Sequence, residues 1–158
     1  MAIRRKLLLG FAFFTLVCMT VSNYGPVWQK DAFQSVGLWK TCYLANGICV
    51  KLSKVTSTHE VVRAFSVLSV LMAFFGTLAA FLSYKTEKTT GVPASLLLLA
   101  CVLCSIIALA VYTDENGSNI KSTIGLDFGW SFILAWISTG MAFIGMVVGF
   151  LTLYQYGY

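Results

Sequence analysis

The sequence has little charge, since Asp, Glu, Lys and Arg together make up only 11 % of its 158 residues. A soluble domain carries about a quarter charged residues, so this chain has too few to cover the surface of a water-soluble globule. Hydrophobic residues make up 58 % of the sequence, and they gather in runs long enough to cross a bilayer. The composition therefore excludes a water-soluble monomer and indicates an integral membrane protein.

The sequence is also poor in residues that carry chemistry. His59 is the one histidine, and no second imidazole or clustered carboxylate accompanies it to form a metal site. Apart from Arg63, at the beginning of the second apolar run, the runs contain no charged residue. Charged residues within spans mark ion and proton pathways in membranes. Cys101 and Cys104 have CxxC spacing within an apolar run, where a thiolate is not stabilised. We expect no enzyme activity, no catalytic residues, no metal and no cofactor.

The formal net charge of +5 does not predict nucleic-acid binding. The basic residues are scattered over the polar segments between the apolar runs. If the runs span a membrane, these charges lie on both sides of it and cannot form the single basic face that a nucleic acid requires.

Four apolar segments reach the ~20 residues that a membrane-spanning helix needs. The predicted spans cover residues 7–27, 61–84, 94–112 and 130–154. Backbone groups in lipid must be satisfied within their own segment, so we predict helices rather than strands. The predicted fold is an all-α membrane protein, a four-helix transmembrane bundle formed by one domain over residues 1–158.

The orientation of the bundle follows from the first span. Three basic residues precede it, at positions 4–6, and positive charge before the first span predicts a cytoplasmic N-terminus. This beginning also resembles a signal peptide, but Tyr24 and Trp28 stand where an aromatic belt would anchor a retained helix. We predict retention, with both termini cytoplasmic and with extracellular loops at residues 28–60 and 113–129.

The first outer loop contains two cysteines, Cys42 and Cys49. The loop would face an oxidising compartment, where disulfides persist, so we predict a disulfide between them. Asn46-Gly47 is the strongest signal for a two-residue hairpin turn, but that turn would place the cysteines diagonally, too far apart to bond. A four-residue loop, residues 44–47, places them directly opposite, with Gly47 in a left-handed conformation. We predict this loop.

The residues that flank this loop alternate in polarity. Ile48, Val50 and Leu52 are separated by more polar residues, a pattern that predicts a strand with one buried face. Residues 38–43 can form the antiparallel partner. We therefore expect the bundle to carry a small extracellular antiparallel sheet.

The tip of the predicted hairpin is apolar, since Tyr43, Leu44 and Ala45 lie next to the turn. Exposed apolar residues at a hairpin tip mark contact surfaces in many proteins. We predict that these three residues contact a partner.

Gly145 and Gly149 form a small-xxx-small pair in the last span, a spacing that lets helices approach closely in lipid. Packing within the bundle is favoured over a dimer interface, and Ala73, Gly76, Ala79 and Ala80 of the second span are the natural partners of this face. On the second outer loop, Asn116 begins the glycosylation sequon Asn-Gly-Ser. We predict Asn116 as a glycan acceptor with restricted access, because it lies only a few residues from the membrane.

Trp28, Gly37-Leu38-Trp39, Cys42 and Cys49 follow one another in an order that resembles the first-loop signature of the claudin superfamily. Arg63 lies at the mouth of the second span, where these families often keep an arginine. The resemblance covers essentially the whole chain. It is nearest to the branch of peripheral myelin protein, the epithelial membrane proteins and the lens-fibre intrinsic membrane protein. The stretch from Trp28 to Arg63 is shorter than in claudins, which argues against a claudin-type pore.

The resemblance implies a structural or adhesive tetraspan of the plasma membrane, acting at cell junctions or in membrane organisation. Its partners would be membrane lipid and other membrane proteins, in the same or a neighbouring membrane, including further copies of itself. An auxiliary subunit of an ion channel or receptor is the alternative, and a paracellular barrier or pore component is the second. From their chemistry, we expect Trp28 and Trp39 to attach the sheet to the helix ends. We expect Arg63 to donate hydrogen bonds to loop carbonyls.

Overall fold

The computed structural model describes residues 2–52, 55–86, 91–122 and 127–154. Within these ranges, four helices are long and apolar enough to cross a membrane. They are α1 (Ala2–Tyr24), α2 (Ser57–Lys85), α3 (Val92–Ser122) and α4 (Trp130–Tyr154). The predicted four-helix bundle is confirmed.

Local sequence explains where α2 and α3 begin. Thr56 precedes α2 in an extended conformation, and its hydroxyl accepts a hydrogen bond from the His59 backbone N–H at 3.3 Å. This contact satisfies one of the free donors of the first turn, which is why threonine is favoured at that position. In α3, Pro93 occupies the first turn, where its missing N–H removes no helical hydrogen bond.

Helix α3 extends well beyond the predicted end of its span at residue 112, to Ser122. Polar side chains within the extension bond back to the helix: the Thr113 hydroxyl donates to the Leu109 carbonyl at 2.7 Å, and the Asn116 amide donates to the Tyr112 carbonyl at 3.0 Å. Much of the predicted loop 113–129 is therefore helix. Hydropathy indicates where lipid ends, but a helix continues into water when its polar residues support it.

The helices form a ring in which α1 packs between α2 and α4, and α3 packs against the same two helices on the other side. A Cβ atom on Gly145 would lie 3.2 Å from Leu98 of α3 and 3.2 Å from Phe11 of α1. Gly149 packs against α3 in the same way, with Ser95 as its neighbour. Both glycines are buried within the bundle, so the dimer alternative fails for this pair.

The predicted partner face for these glycines was wrong. Gly76 of α2 packs against Leu98 of α3, and Ala73 is buried in the central core cluster of the bundle. Helix α2 lies diagonally across the ring from α4. Small residues in a sequence show that helices approach closely, but they do not show which helices are neighbours.

Among the described residues, five short strands form one antiparallel sheet at the end of the bundle where α1 ends and α2 begins. They are β1 (Gln29–Lys30), β2 (Gln34–Val36), β3 (Lys40–Tyr43), β4 (Cys49–Lys51) and β5 (Asp127–Phe128). The order across the sheet is β4-β3-β2-β1-β5. In the part of the chain that the structure describes, β4 is therefore a free edge, and β5 joins the other edge to the start of α4.

The hairpin between β3 and β4 has the predicted four-residue loop. Cys42 lies directly opposite Cys49, and the Tyr43 N–H donates to the Ile48 carbonyl at 3.0 Å. Gly47 has a φ of +64°, the left-handed conformation that glycine adopts without steric cost. The structure contains the Cys42–Cys49 disulfide, across a Cα separation of 4.0 Å.

The prediction that this strand buries its apolar side chains was wrong. Ile48 is 57 % exposed and Val50 is 51 % exposed. Period-two alternation shows that a strand has two chemically different faces, but not which face is covered. Here the strand is the edge of the sheet, and Ile48 and Val50 lie on a face that the described elements leave uncovered.

Candidate contact surface on the sheet

Trp28 fixes the sheet to the bundle. Its side chain is 2 % exposed and packs edge-on against the rings of Tyr112 and Phe132, with centroid separations of 5.0 and 5.9 Å. Its indole N–H donates to the Ser22 carbonyl at 2.8 Å. The prediction that Trp28 lies in an interfacial aromatic belt was therefore wrong, whereas the expectation that it seats the sheet on the helix ends fits this burial.

Trp39 forms a second attachment. Its indole N–H donates to Asn23 Oδ1 at 2.9 Å, and the Arg63 guanidinium lies 4.9 Å from the centre of its ring. The Nε–H of Arg63 donates to the Leu38 carbonyl at 2.7 Å, and His59 Nε2 lies 3.1 Å from the same oxygen. A cation over an aromatic face and a hydrogen bond to a carbonyl both favour this arrangement. Arg63 thus joins α2 to the sheet.

Gly37 and Leu38 complete the signature, and both are buried. A Cβ atom on Gly37 would lie 2.7 Å from the carbonyl oxygen of Gly25, closer than real Cβ atoms come to other atoms. Glycine therefore allows the turn between β2 and β3 to touch the end of α1. Leu38 is buried in the cluster that surrounds Trp28. Trp28, Gly37, Leu38 and Trp39 thus contact the bundle, whereas the two cysteines of the signature lie on the outer strands β3 and β4.

The outer part of the sheet carries exposed apolar side chains, which we name the apolar patch. Its members are Phe33, Tyr43, Leu44, Ile48 and Val50, each at least 46 % exposed. Tyr43 and Ile48 form the last backbone contact of the hairpin, and the Leu44 N–H donates to the Phe33 carbonyl at 2.9 Å. Val50 lies two residues from Ile48, so strand alternation places both side chains on one face. Tyr43, Ile48 and Val50 therefore share one face, and Phe33 and Leu44 lie beside Tyr43 at the outer end of the sheet.

The apolar patch contains Tyr43 and Leu44 of the three predicted contact residues, and Ala45 lies exposed in the loop beside them. Sequence reasoning missed Phe33, Ile48 and Val50. Phe33 lies in a turn with no periodic pattern, and the other two were assigned to a buried face. The contact role of all these residues stays a prediction. The structure adds that they lie exposed at the outer end of one sheet.

The opposite face of the same strands is charged. Lys40 and Lys51 lie directly opposite each other on β3 and β4, and both are exposed. Like charges in directly opposed positions are unfavourable for a sheet. Strand alternation places both lysine side chains on the same face as the Cys42–Cys49 disulfide. The two faces of one hairpin therefore offer different chemistry, one apolar and one basic.

Asn116 lies in the helical extension of α3 rather than in a loop. Its amide nitrogen, the atom to which a glycan attaches, donates to the Tyr112 carbonyl at 3.0 Å. Glycosylation therefore requires this turn to open, and it stays a prediction. Within the described ranges, no three His, Cys, Asp or Glu side chains lie close enough together to hold a metal ion.

The comparisons with known proteins agree with this architecture. The model of the PMP-22/EMP/MP20/Claudin family matches residues 5–150. Epithelial membrane protein 2 of Bos taurus is 31 % identical over 142 residues, which cover 82 % of each chain. Epithelial membrane protein 1 of Oryctolagus cuniculus is 32 % identical over 139 residues, 82 % of this chain and 84 % of the relative. Lens fiber membrane intrinsic protein of Rattus norvegicus is 30 % identical over 135 residues, 81 % of this chain and 77 % of the relative.

Proposed function

The chain belongs to the PMP-22/EMP/MP20/claudin family, and on this basis we propose that it is an adhesive tetraspan whose apolar patch binds other membrane proteins. The family consists of four-span structural membrane proteins of the plasma membrane and cell junctions, not of enzymes. Membership confirms the resemblance seen in the first-loop signature and supports a role in junctions or membrane organisation. The proposal adds the surface through which this chain acts.

We place the sheet outside the cell and both termini in the cytoplasm. Two features support this orientation. The basic residues at positions 4–6 and Lys85 lie at the end of the bundle away from the sheet, and basic residues next to spans favour the cytoplasmic side. The disulfide lies within the sheet, and disulfides persist in the oxidising extracellular space.

The observation that carries the proposal is the apolar patch at the free edge of the sheet. Phe128 of β5 packs in the cluster at the helix ends, whereas β4 lies four strands away, roughly 19 Å along the sheet at ~4.8 Å per strand. Proteins usually protect free sheet edges with charge, proline or a covering element. This edge carries one charged residue, Lys51, and beside it the exposed apolar side chains of Ile48 and Val50. Contiguous exposed apolar residues of this kind mark protein contact sites.

The outer faces of the helices have a different role. Large apolar side chains such as Phe74, Phe81 and Phe143 are exposed along α2 and α4, as a helix in contact with lipid requires. These faces bind membrane lipid and offer lateral contacts to other membrane proteins or to further copies of the chain. The sheet then provides the contacts made beyond the membrane.

Aggregation of cells that do not normally adhere tests the proposal. Cells expressing the wild-type chain are expected to aggregate, and Val50→Asp is expected to abolish aggregation because a carboxylate in the patch must be desolvated at the contact. Lys51→Asp is the matched control, since it places the same carboxylate one residue away on the opposite face. Surface expression of the variants is compared by labelling intact cells.

The two variants also separate the alternatives. Equal loss of aggregation in Val50→Asp and Lys51→Asp contradicts a role for the apolar patch. No aggregation of wild-type cells, together with one co-purified channel or receptor subunit, would support an auxiliary subunit instead. The second candidate is a paracellular barrier or pore component, favoured by the exposed pair Lys40 and Lys51; it requires an anion preference across epithelial layers that Lys51→Asp reverses.

A further inference from the structure

The end of the bundle away from the sheet is basic. Four basic residues, Arg4, Arg5, Lys6 and Lys85, lie in the first turns of α1 and at the end of α2. No acidic residue occurs among the described residues of this end, which are 2–10, 80–86, 91–96 and 148–152. Glu87 and Lys88 fall outside the described ranges and cancel in formal charge. This end therefore carries an excess of positive charge.

The two arginines are held by the bundle. The Arg4 guanidinium donates to the Leu151 carbonyl of α4 at 3.0 Å, and Arg5 is only 8 % exposed, with its side chain engaged in further contacts. A cation near a helix C-terminus is favoured by the helix dipole and by free carbonyls. Arg4 and Arg5 thus fix the position of the first turn of α1.

The two lysines differ from the arginines because both are exposed. Arg4 and Lys6 lie about 200° apart around the helix axis, so Lys6 lies on the opposite side of α1 from the contact with α4. That side is the outward, exposed side of α1, next to α2, whose Thr77 hydroxyl donates to the Ala12 carbonyl at 3.0 Å and which ends at Lys85. The backbone therefore places Lys6 and Lys85 on the two sides of one groove between α1 and α2.

The surface below this groove is apolar. Phe13 lies two turns along α1 on the same side as Lys6, and Leu78 and Phe81 lie on the last turns of α2; all three are exposed. Two lysines at the polar end of an apolar groove match a molecule with an anionic head and a hydrocarbon tail. A soluble anion would use the lysines alone.

We propose that Lys6 and Lys85 bind the phosphate-containing headgroup of an anionic membrane lipid, with its acyl chain lying in the groove between α1 and α2. Clusters of basic residues next to a span recognise anionic lipids of the cytoplasmic leaflet. The proposal goes beyond adhesion and names a lipid contact at the other end of the molecule. It uses the orientation of the proposed function only to identify the leaflet, and the test below does not depend on that orientation.

Native mass spectrometry of the purified full chain in micelles tests this site. The chain is mixed with equal amounts of short-chain phosphatidylserine and phosphatidylcholine, and the bound fraction of each lipid is measured. Phosphatidylserine adducts are expected to dominate, and Lys6→Gln/Lys85→Gln is expected to weaken phosphatidylserine binding on the order of tenfold, because each basic residue near an anionic lipid surface contributes several-fold. Added salt is expected to reduce the preference, since exposed charges are screened.

Lys30→Gln/Lys40→Gln is the matched control, because it removes the same charge from the sheet. This control is expected to bind phosphatidylserine like the wild type. Equal loss in both double variants would show a response to net charge only and would overturn the proposal. Equal binding of the two lipids would also overturn it, and so would displacement by free O-phosphoserine at the concentration of the lipid. Failure of cell aggregation would leave the lipid result unaffected, because aggregation tests the sheet and lipid binding tests the opposite end of the bundle.

Discussion

Trp28→Ala is expected to lower the free energy of unfolding by about 3–5 kcal/mol, the usual cost of truncating a buried tryptophan. The side chain is 2 % exposed and packs against Tyr112 of α3 and Phe132 of α4. Its removal leaves a cavity at the point where the sheet meets the helices, and the Ser22 carbonyl loses its donor. Thermal unfolding of the purified chain in one detergent measures the effect.

Trp130→Ala provides the control for this substitution. Trp130 lies at the same end of the bundle, at the start of α4, but its side chain is 48 % exposed. Its truncation removes fewer packing contacts and is expected to cost much less stability. Trp28→Phe is expected to fall between the two, since it keeps an aromatic ring and loses the indole N–H. Similar destabilisation by Trp28→Ala and Trp130→Ala would contradict the assignment of Trp28 as the main attachment of the sheet.

Removal of the Cys42–Cys49 disulfide is expected to destabilise the β3–β4 hairpin by about 2–3 kcal/mol, the value for a bond that closes a short loop. The hairpin depends on this bond because β4 pairs with β3 alone and forms the free edge of the sheet. In the Cys42→Ser/Cys49→Ser variant, hydrogen exchange of the β3 and β4 amides is expected to accelerate by one to two orders of magnitude. The helix amides are expected to exchange as before.

Cys104→Ala serves as the control for thiol substitution, because Cys104 is a free, half-buried cysteine of α3. It is expected to leave exchange in the hairpin unchanged. The double serine variant is also expected to lose binding through the apolar patch, because Tyr43 and Ile48 lie at the tip of this hairpin. Unchanged exchange of β3 and β4 without the disulfide would contradict its structural role.

The number of helices was predictable because long apolar runs have one solution in lipid, an internally hydrogen-bonded helix. The end of α3 was not predictable from hydropathy, because residues 113–122 are polar and yet helical. The hairpin loop was predictable because two rules acted together. A disulfide requires opposed cysteines, and Gly47 permits the left-handed residue that the four-residue loop contains.

The covered and uncovered faces of the sheet could not be predicted from local sequence. Trp28 and Val50 both lie in the same outer segment, yet one is buried and the other exposed. The difference arises from strand order, which places β5 against the helix ends and β4 at the free edge. Strand order depends on pairing between residues far apart in sequence, such as Lys30 with Asp127. The alternation of polar and apolar residues within one strand does not indicate which strand lies next to it.

Site-specific photocrosslinking in cells tests most directly whether the apolar patch touches other membrane proteins. A photoreactive benzoylphenylalanine is placed at position 48, within the patch, or at position 51, on the opposite face of the same strand. After illumination of aggregated cells, position 48 is expected to yield a defined protein adduct, and position 51 little or none. No adduct at position 48, or equal adducts at both positions, would contradict the account.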